Sequence, residues 1–200
     1  MTCRPDEGGS PKCALGNSCR SVELKGMFLS DIQASKDSYS KVTFGGKTAD
    51  VIIIAEGVDV RDDNYGYIGN GKAFGKLMQF VKDAGLDANR TLLTHTVRCK
   101  TDYGKKPSVQ QKKACHPHLI KEIEAYDPKV IILLGNQTLR AFKLDGKGGI
   151  NAIRGKVYDL PVVEGGPTYK VIPTLDPGAF FHHTDPELER SVLEDYVLAQ

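Results

Sequence analysis

Two hundred residues, 40% hydrophobic and 26% charged with a mean hydropathy of -0.31, lead to an expectation of one soluble globular domain. No apolar run approaches the roughly 18 residues of a membrane helix. The opening MTCRPDEGGSPK lacks the apolar centre of a signal peptide, so a cytoplasmic, nucleoid-associated setting away from membranes is expected. A formal net charge of +2 excludes a polycation, and any grip on nucleic acid must come from local clusters of Lys and Arg.

Met1 to Arg20 is rich in Gly, Pro and Cys without period and carries Cys3, Cys13 and Cys19, the composition of a loop that folds around something. Ser21 to Ala49 reads as irregular structure with a short helix or hairpin, so residues 1–49 form a cysteine-bearing N-terminal segment of the single domain. DVIIIAE, Asp50 to Glu56, is a β-branched run suited to a strand buried on both faces. The turn-rich GVDVRDDNYGYIGNG follows. Lys72 to Gly85 then sets Phe74, Leu77, Met78 and Val81 at helical spacing and ends on a Gly suited to a C-cap.

Thr91 to Val97 predicts a second strand. Ser108 to Tyr126 predicts a helix, with Ser108 as N-cap after Pro107 and Asp127-Pro128 closing it. Lys129 to Gly135 is a third strand, followed by a helix from Asn136 to about Phe142; Tyr169 to Leu175 is a fourth, and a last helix spans about Pro186 to Leu198. Strands alternating with helices predict an α/β fold: a central, mainly parallel four-stranded sheet flanked by helices on both faces. Ligands of such sheets sit beyond the carboxyl ends of the strands. The candidate loops are therefore Glu56 to Asp63, His95 to Lys106 and Asp176 to His183.

Five cysteines in a reducing compartment favour metal binding over disulfides. Cys13 and Cys19 have five residues between them, and Cys99 and Cys115 have fifteen. Thiolates suit zinc or an iron-sulfur cluster, and spacing alone does not choose. Arg98, Lys100, Lys105, Lys106, Lys112 and Lys113 make the one dense basic patch of the chain, in and beside the interval from Cys99 to Cys115. The plain alternative is a solvated charged loop and helix face.

From Asp50 onward the order of motifs resembles the uracil-DNA glycosylase superfamily, most like family 4, the thermostable type with a [4Fe-4S] cluster. That family's GEAPG strand end and Gly-rich loop are matched by IIIAEGVDVRDDNYGYIGNG, and TNxVKCRP by THTVRCKT. CxPxL is matched by Cys115, Pro117 and Leu119, PKxIxxLG by Pro128 to Gly135, and the RG turn by Arg154 and Gly155. PTYHPAxLL corresponds to PTLDPGAFF, Pro173 to Phe181.

The resemblance implies that Cys13, Cys19, Cys99 and Cys115 hold a [4Fe-4S] cluster rather than zinc, with Cys3 the spare that can stand in for Cys19. It implies a partner, DNA with one extruded base, met by a monomer that works beside replication or repair proteins. DNA contacts fall to Arg98, Lys100, Lys105, Lys106 and Arg154. Gly57, Asp59, Tyr65 and Tyr67 would shape the base pocket, Tyr67 standing nearest to the family's stacking Phe.

Glu56 keeps the family's water-side carboxylate. His95 stands where the family reads uracil with Asn, and Asp176 where it steadies the leaving base with His. An Asp there removes a donor and adds negative charge, a loss on the order of 3 to 4 kcal/mol unless Asp176 is protonated or His95 takes over the role. Two readings follow: a glycosylase acting on uracil or a modified base through an altered pocket, and a non-catalytic DNA-binding, replication-associated module that keeps fold and cluster.

Overall fold

The computed structural model describes residues 26–38, 48–58, 68–98, 106–144, 148–181 and 185–200. In chain order the strands are β1 (Met27–Phe28), β2 (Val51–Gly57), β3 (Thr91–Val97), β4 (Val130–Leu134), β5 (Tyr158–Pro161) and β6 (Thr168–Thr174). The helices are α1 (Leu29–Ser38), α2 (Ala73–Asp83), α3 (Val109–Tyr126), α4 (Gly135–Ala141), α5 (Ile150–Ile153) and α6 (Pro186–Val197), with a 3-10 turn at Pro177–Phe181.

The sheet order is β1-β3-β2-β4-β6-β5. Its four central strands are the four expected ones, and they run parallel: β2 pairs with β3 and β4, and β4 with β6. The expected count of four strands is corrected to six by two antiparallel edges. β1 is only two residues long, and β5 alternates between half-buried and exposed, so neither carries the apolar run that announces a central strand. Ending the edge strand β5 at Pro161 suits a position where no further ladder donor is needed.

Alternation along the strands divides the core in two. Val51 and Ile53 of β2 pack with Leu29 and Ile32 of α1, Leu77 and Phe80 of α2 and Val192 and Tyr196 of α6. Ile52 and Ile54 face the other way, against Leu119 and Ile123 of α3, Leu139 of α4 and Ile150 of α5. Phe80 stacks on Tyr196 at 5.4 Å between ring centroids, tying α2 to α6.

The helix ends follow their local chemistry. Ser108 accepts from Gln111 N at 3.2 Å while Gln111 Oε1 accepts from Ser108 N at 2.6 Å, a capping box that fixes where α3 begins. Asp185 caps α6 with Pro186 in its first turn. Gly135 bends β4 into α4 with φ of +75°, a left-handed conformation that favours Gly, and leaves room for the Asp176 side chain, whose Cβ lies 3.5 Å from where a Gly135 Cβ would stand.

Candidate active site

The strand register brings the carboxyl ends of β2, β3 and β6 to one edge of the molecule. Ala55 lies opposite His95, and Thr96 Oγ1 donates to the carbonyl of Glu56, so β2 and β3 stay joined to their last residues. Beyond these ends is a cleft of about 250 Å³, whose lining includes Glu56, Gly57, Val58, Lys106, Pro107 and Asp176. Two carboxylates from strands separated by β4 thus share one concave space. Gly57 meets Pro107 closely: a Cβ at 57 would stand 3.3 Å from the proline ring, so the cleft floor is shaped to fit Gly.

Glu56 Oε1 lies 3.5 Å from Lys112 Nζ, and Lys112 also donates to Gln137 Oε1 at 2.7 Å. Oε1 is buried and accepts no hydrogen bond, so Lys112 acts on it through charge alone and leaves its lone pairs uncommitted. Asp176 is half-buried. Its Oδ1 accepts from Gly178 N at 2.7 Å, and burial holds its carboxyl above the ordinary range although that hydrogen bond pulls the other way.

His95 is buried, with Nδ1 lacking a hydrogen-bond partner. Burial first, and the Arg98 charge second, depress its pKa to about 4, so the imidazole is neutral at physiological pH. A neutral ring offers one donor and one acceptor, where an Asn side chain offers both on a single amide.

Of the basic residues expected at DNA, Lys106 is exposed on the cleft rim. Arg98 turns inward instead. It pairs with Glu122 at 2.6 Å and donates to the His118 carbonyl, and both charged side chains are less than a tenth exposed. Arg154 is likewise committed inside: its Nε donates to Asp195 Oδ2 at 2.9 Å and its Nη1 to Ser191 Oγ at 2.6 Å, while Thr174 donates to the same Asp195 oxygen at 2.5 Å. This network joins the end of β6, just before Asp176, to α6. Both guanidiniums are thus paired with a carboxylate inside the molecule.

Lys112 is the residue that the sequence reading placed only in a charged patch. It lies three positions before Cys115 and seven before Leu119, both buried, and that helical phase is the signal that turns it inward. Lys100, Lys105, Asp59, Tyr65 and Tyr67 lie outside the described residues. So do Cys13, Cys19 and Cys99. Cys115 is buried on α3, the helix to which Arg98 ties the end of β3. Among the described residues no three His, Cys, Asp or Glu side chains converge on a metal position.

The family model of the uracil DNA glycosylase superfamily matches residues 42–196, spanning every strand that builds this cleft. The chain belongs to the uracil-DNA glycosylase superfamily. It is 31% identical over 146 residues to a type-4 uracil-DNA glycosylase of Thermotoga maritima, covering 72% of this chain and 73% of that one. A type-4 uracil-DNA glycosylase of Sulfurisphaera tokodaii is 28% identical over 156 residues, 76% of this chain and 69% of its own. A DNA polymerase of Bacillus phage SP01 is 32% identical over 119 residues, 58% of this chain and 12% of the polymerase. Within the superfamily this chain therefore sides with the type-4 enzymes, and it carries Asp176 on the cleft lining and His95 buried on β3 opposite Ala55.

Proposed function

We propose that this protein is a base-excision enzyme that hydrolyses the N-glycosidic bond of a flipped uracil or modified base in DNA. The observation that carries the reading is the cleft at the carboxyl edge, whose lining brings Glu56, with the Lys112 ammonium beside it, and Asp176 to one concave space. Glycosidic cleavage builds positive charge on the sugar and negative charge on the departing base. Glu56 answers the first: its carboxylate steadies the cationic sugar and takes the proton of the attacking water. The Lys112 ammonium, itself held by Gln137, positions it.

His95, neutral and unpartnered, reads the edge of the extruded base. On the outer rim Lys106 meets backbone phosphate, and Phe181, half exposed at the end of the turn that begins beside Asp176, is an apolar wedge for the space the flipped base leaves. The relatives named as type-4 uracil-DNA glycosylases favour this reading over a non-catalytic module. The phage polymerase match supports a place beside DNA synthesis, with replication or repair proteins as neighbours.

A [4Fe-4S] cluster held by Cys13, Cys19, Cys99 and Cys115 belongs to the same reading. Bound there, it supplies a rigid cross-link between the N-terminal segment, the end of β3 and α3. The Cys115 thiol, buried on a helix beside the Arg98–Glu122 pair, suits a ligand that must be shielded from solvent.

The deciding experiment is release of free base from single-stranded and duplex DNA containing uracil. The wild-type protein is expected to release it, and Glu56→Gln to lower the rate by roughly 10² to 10⁴ while DNA binding persists. Binding without release by the wild-type protein, from uracil or any modified base, would leave the non-catalytic reading standing.

A further inference from the structure

We propose, resting on the base-excision reading above, that Asp176 is the proton donor to the departing base, which fits this cleft to bases that leave as neutral molecules rather than as anions. The two carboxyl groups of the cleft live in opposite surroundings. Glu56 has the Lys112 ammonium 3.5 Å away. Asp176 has no cation within ion-pairing distance among the described residues, and Gly178 N occupies only its Oδ1, which leaves Oδ2 to carry a proton.

The groups facing Asp176 all disfavour a second negative charge or leave it unbalanced. From β2 comes the Glu56 carboxylate across the cleft. From α6 comes Tyr196, fully buried with an unpartnered hydroxyl. The Tyr196 hydroxyl is itself held far above its ordinary range by burial, with Asp176 and Asp195 adding to the effect, so it supplies no charge to Asp176. Among the described residues Lys106 is the one cation on the lining, and it is solvent-exposed at the rim. The raised carboxyl of Asp176 is consistent with this geometry. One carboxyl beside an ammonium and one with no ion-paired cation among the described residues give a single cleft the groups suited to act as base and as acid.

The bond from C1′ to the base nitrogen breaks with its electron pair moving onto the base. The Asp176 proton passes to a ring nitrogen or carbonyl oxygen of that base, water closes on C1′, and Glu56 takes the water proton. The products are a neutral base, an abasic sugar bearing a hydroxyl, a protonated Glu56 and an Asp176 carboxylate. Exchange of one proton each with solvent restores the enzyme. The substitution at 176 thereby changes the kind of help given to the leaving group, from a hydrogen bond that steadies an anion to a proton that prevents one from forming.

The test is single-turnover release of uracil and of 5-fluorouracil from single-stranded DNA, followed from acid to alkaline pH. For the wild-type protein the rate is expected to fall about tenfold per pH unit once Asp176 has titrated, with little preference for 5-fluorouracil below that point. Asp176→Asn keeps the oxygen that Gly178 bonds but has no acidic proton. It is expected to lose about 100-fold at acid pH, to lose the alkaline limb, and to favour 5-fluorouracil, the better leaving anion. Asp176→Glu keeps an acidic proton and is expected to keep a limb.

A wild-type rate with no fall on the alkaline side, or an Asp176→Asn protein with the wild-type rate and profile, overturns the assignment and leaves the excision reading intact. Failure of the wild-type protein to release either base at any pH overturns both.

Discussion

At the amino ends of the parallel strands Asp50 is gripped by Arg90 through both its carboxylate oxygens and approached by Lys129 at 3.2 Å, and its pKa is lowered to about 2, chiefly by the Arg90 hydrogen bond. At the carboxyl ends Glu56 has one cation at 3.5 Å, Asp176 has none among the described residues, and His95 Nδ1 is unpartnered. The amino end also holds the larger hollow, about 360 Å³ against about 250 Å³. Size is therefore the wrong guide to function in this molecule. Charges at the amino end already satisfy one another, whereas those at the carboxyl end are kept apart by the strands that carry them, and what a fold leaves unsatisfied it leaves available to a substrate.

Three substitutions would break or sharpen that contrast. The largest effect is expected at His95. Its folded-state pKa lies below the unfolded value of 6.5, so its contribution to stability is fully present above that pH and is lost as pH falls towards about 4. Roughly 3 kcal/mol is the ceiling for this loss. Urea unfolding across that window should show a steep fall for the wild-type protein and a shallower one for His95→Asn; matching slopes would place the imidazole in water.

Next comes Lys112→Met, which removes the positioning charge beside Glu56. Base release is expected to drop about tenfold, worth about 1.4 kcal/mol, with recovery in Lys112→Arg and little change in unfolding midpoint. A loss of stability matching the loss of rate would instead make Lys112 a packing residue. The smallest effect belongs to the other end of the sheet. Asp50→Asn should cost at most about 1 kcal/mol near neutral pH, because the pair is partly solvated, and nothing in rate. That contribution is present above pH 3.8 and disappears as pH falls towards about 2, so wild-type and Asp50→Asn proteins should converge there.

How legible each part was in the sequence follows from where its partners lie. The central strands declare themselves because VIII and VIILL are buried on both faces and tolerate nothing polar. Glu56 and Asp176 could be picked out as candidates because they stand at the carboxyl ends of apolar strands, Glu56 within β2 and Asp176 two residues past β6. The ion pairs of Arg98 and Arg154 could not be read, because the carboxylates that hold them, Glu122 and Asp195, lie 24 and 41 positions further on. No local pattern announces a pairing of that kind. β1 and β5 were missed for a different reason: edge strands are held by one neighbour and need little apolar character. Lys112 stood between these cases, since its charge argued for the surface while its helical phase with Cys115 and Leu119 argued for the interior.

The capping box at Ser108 has a mechanical consequence. By fixing the first residue of α3, it fixes the phase and height of everything further along a rigid rod that advances about 1.5 Å per residue. Pro107 then borders the cleft, Lys112 reaches Glu56, and Cys115 sits one helical turn beyond. Whatever grips the Cys115 thiol holds the same rod that carries the counter-ion of the cleft carboxylate, so a disturbance at the sulfur is transmitted to Glu56 as a change in alignment well before any strand of the sheet has to yield.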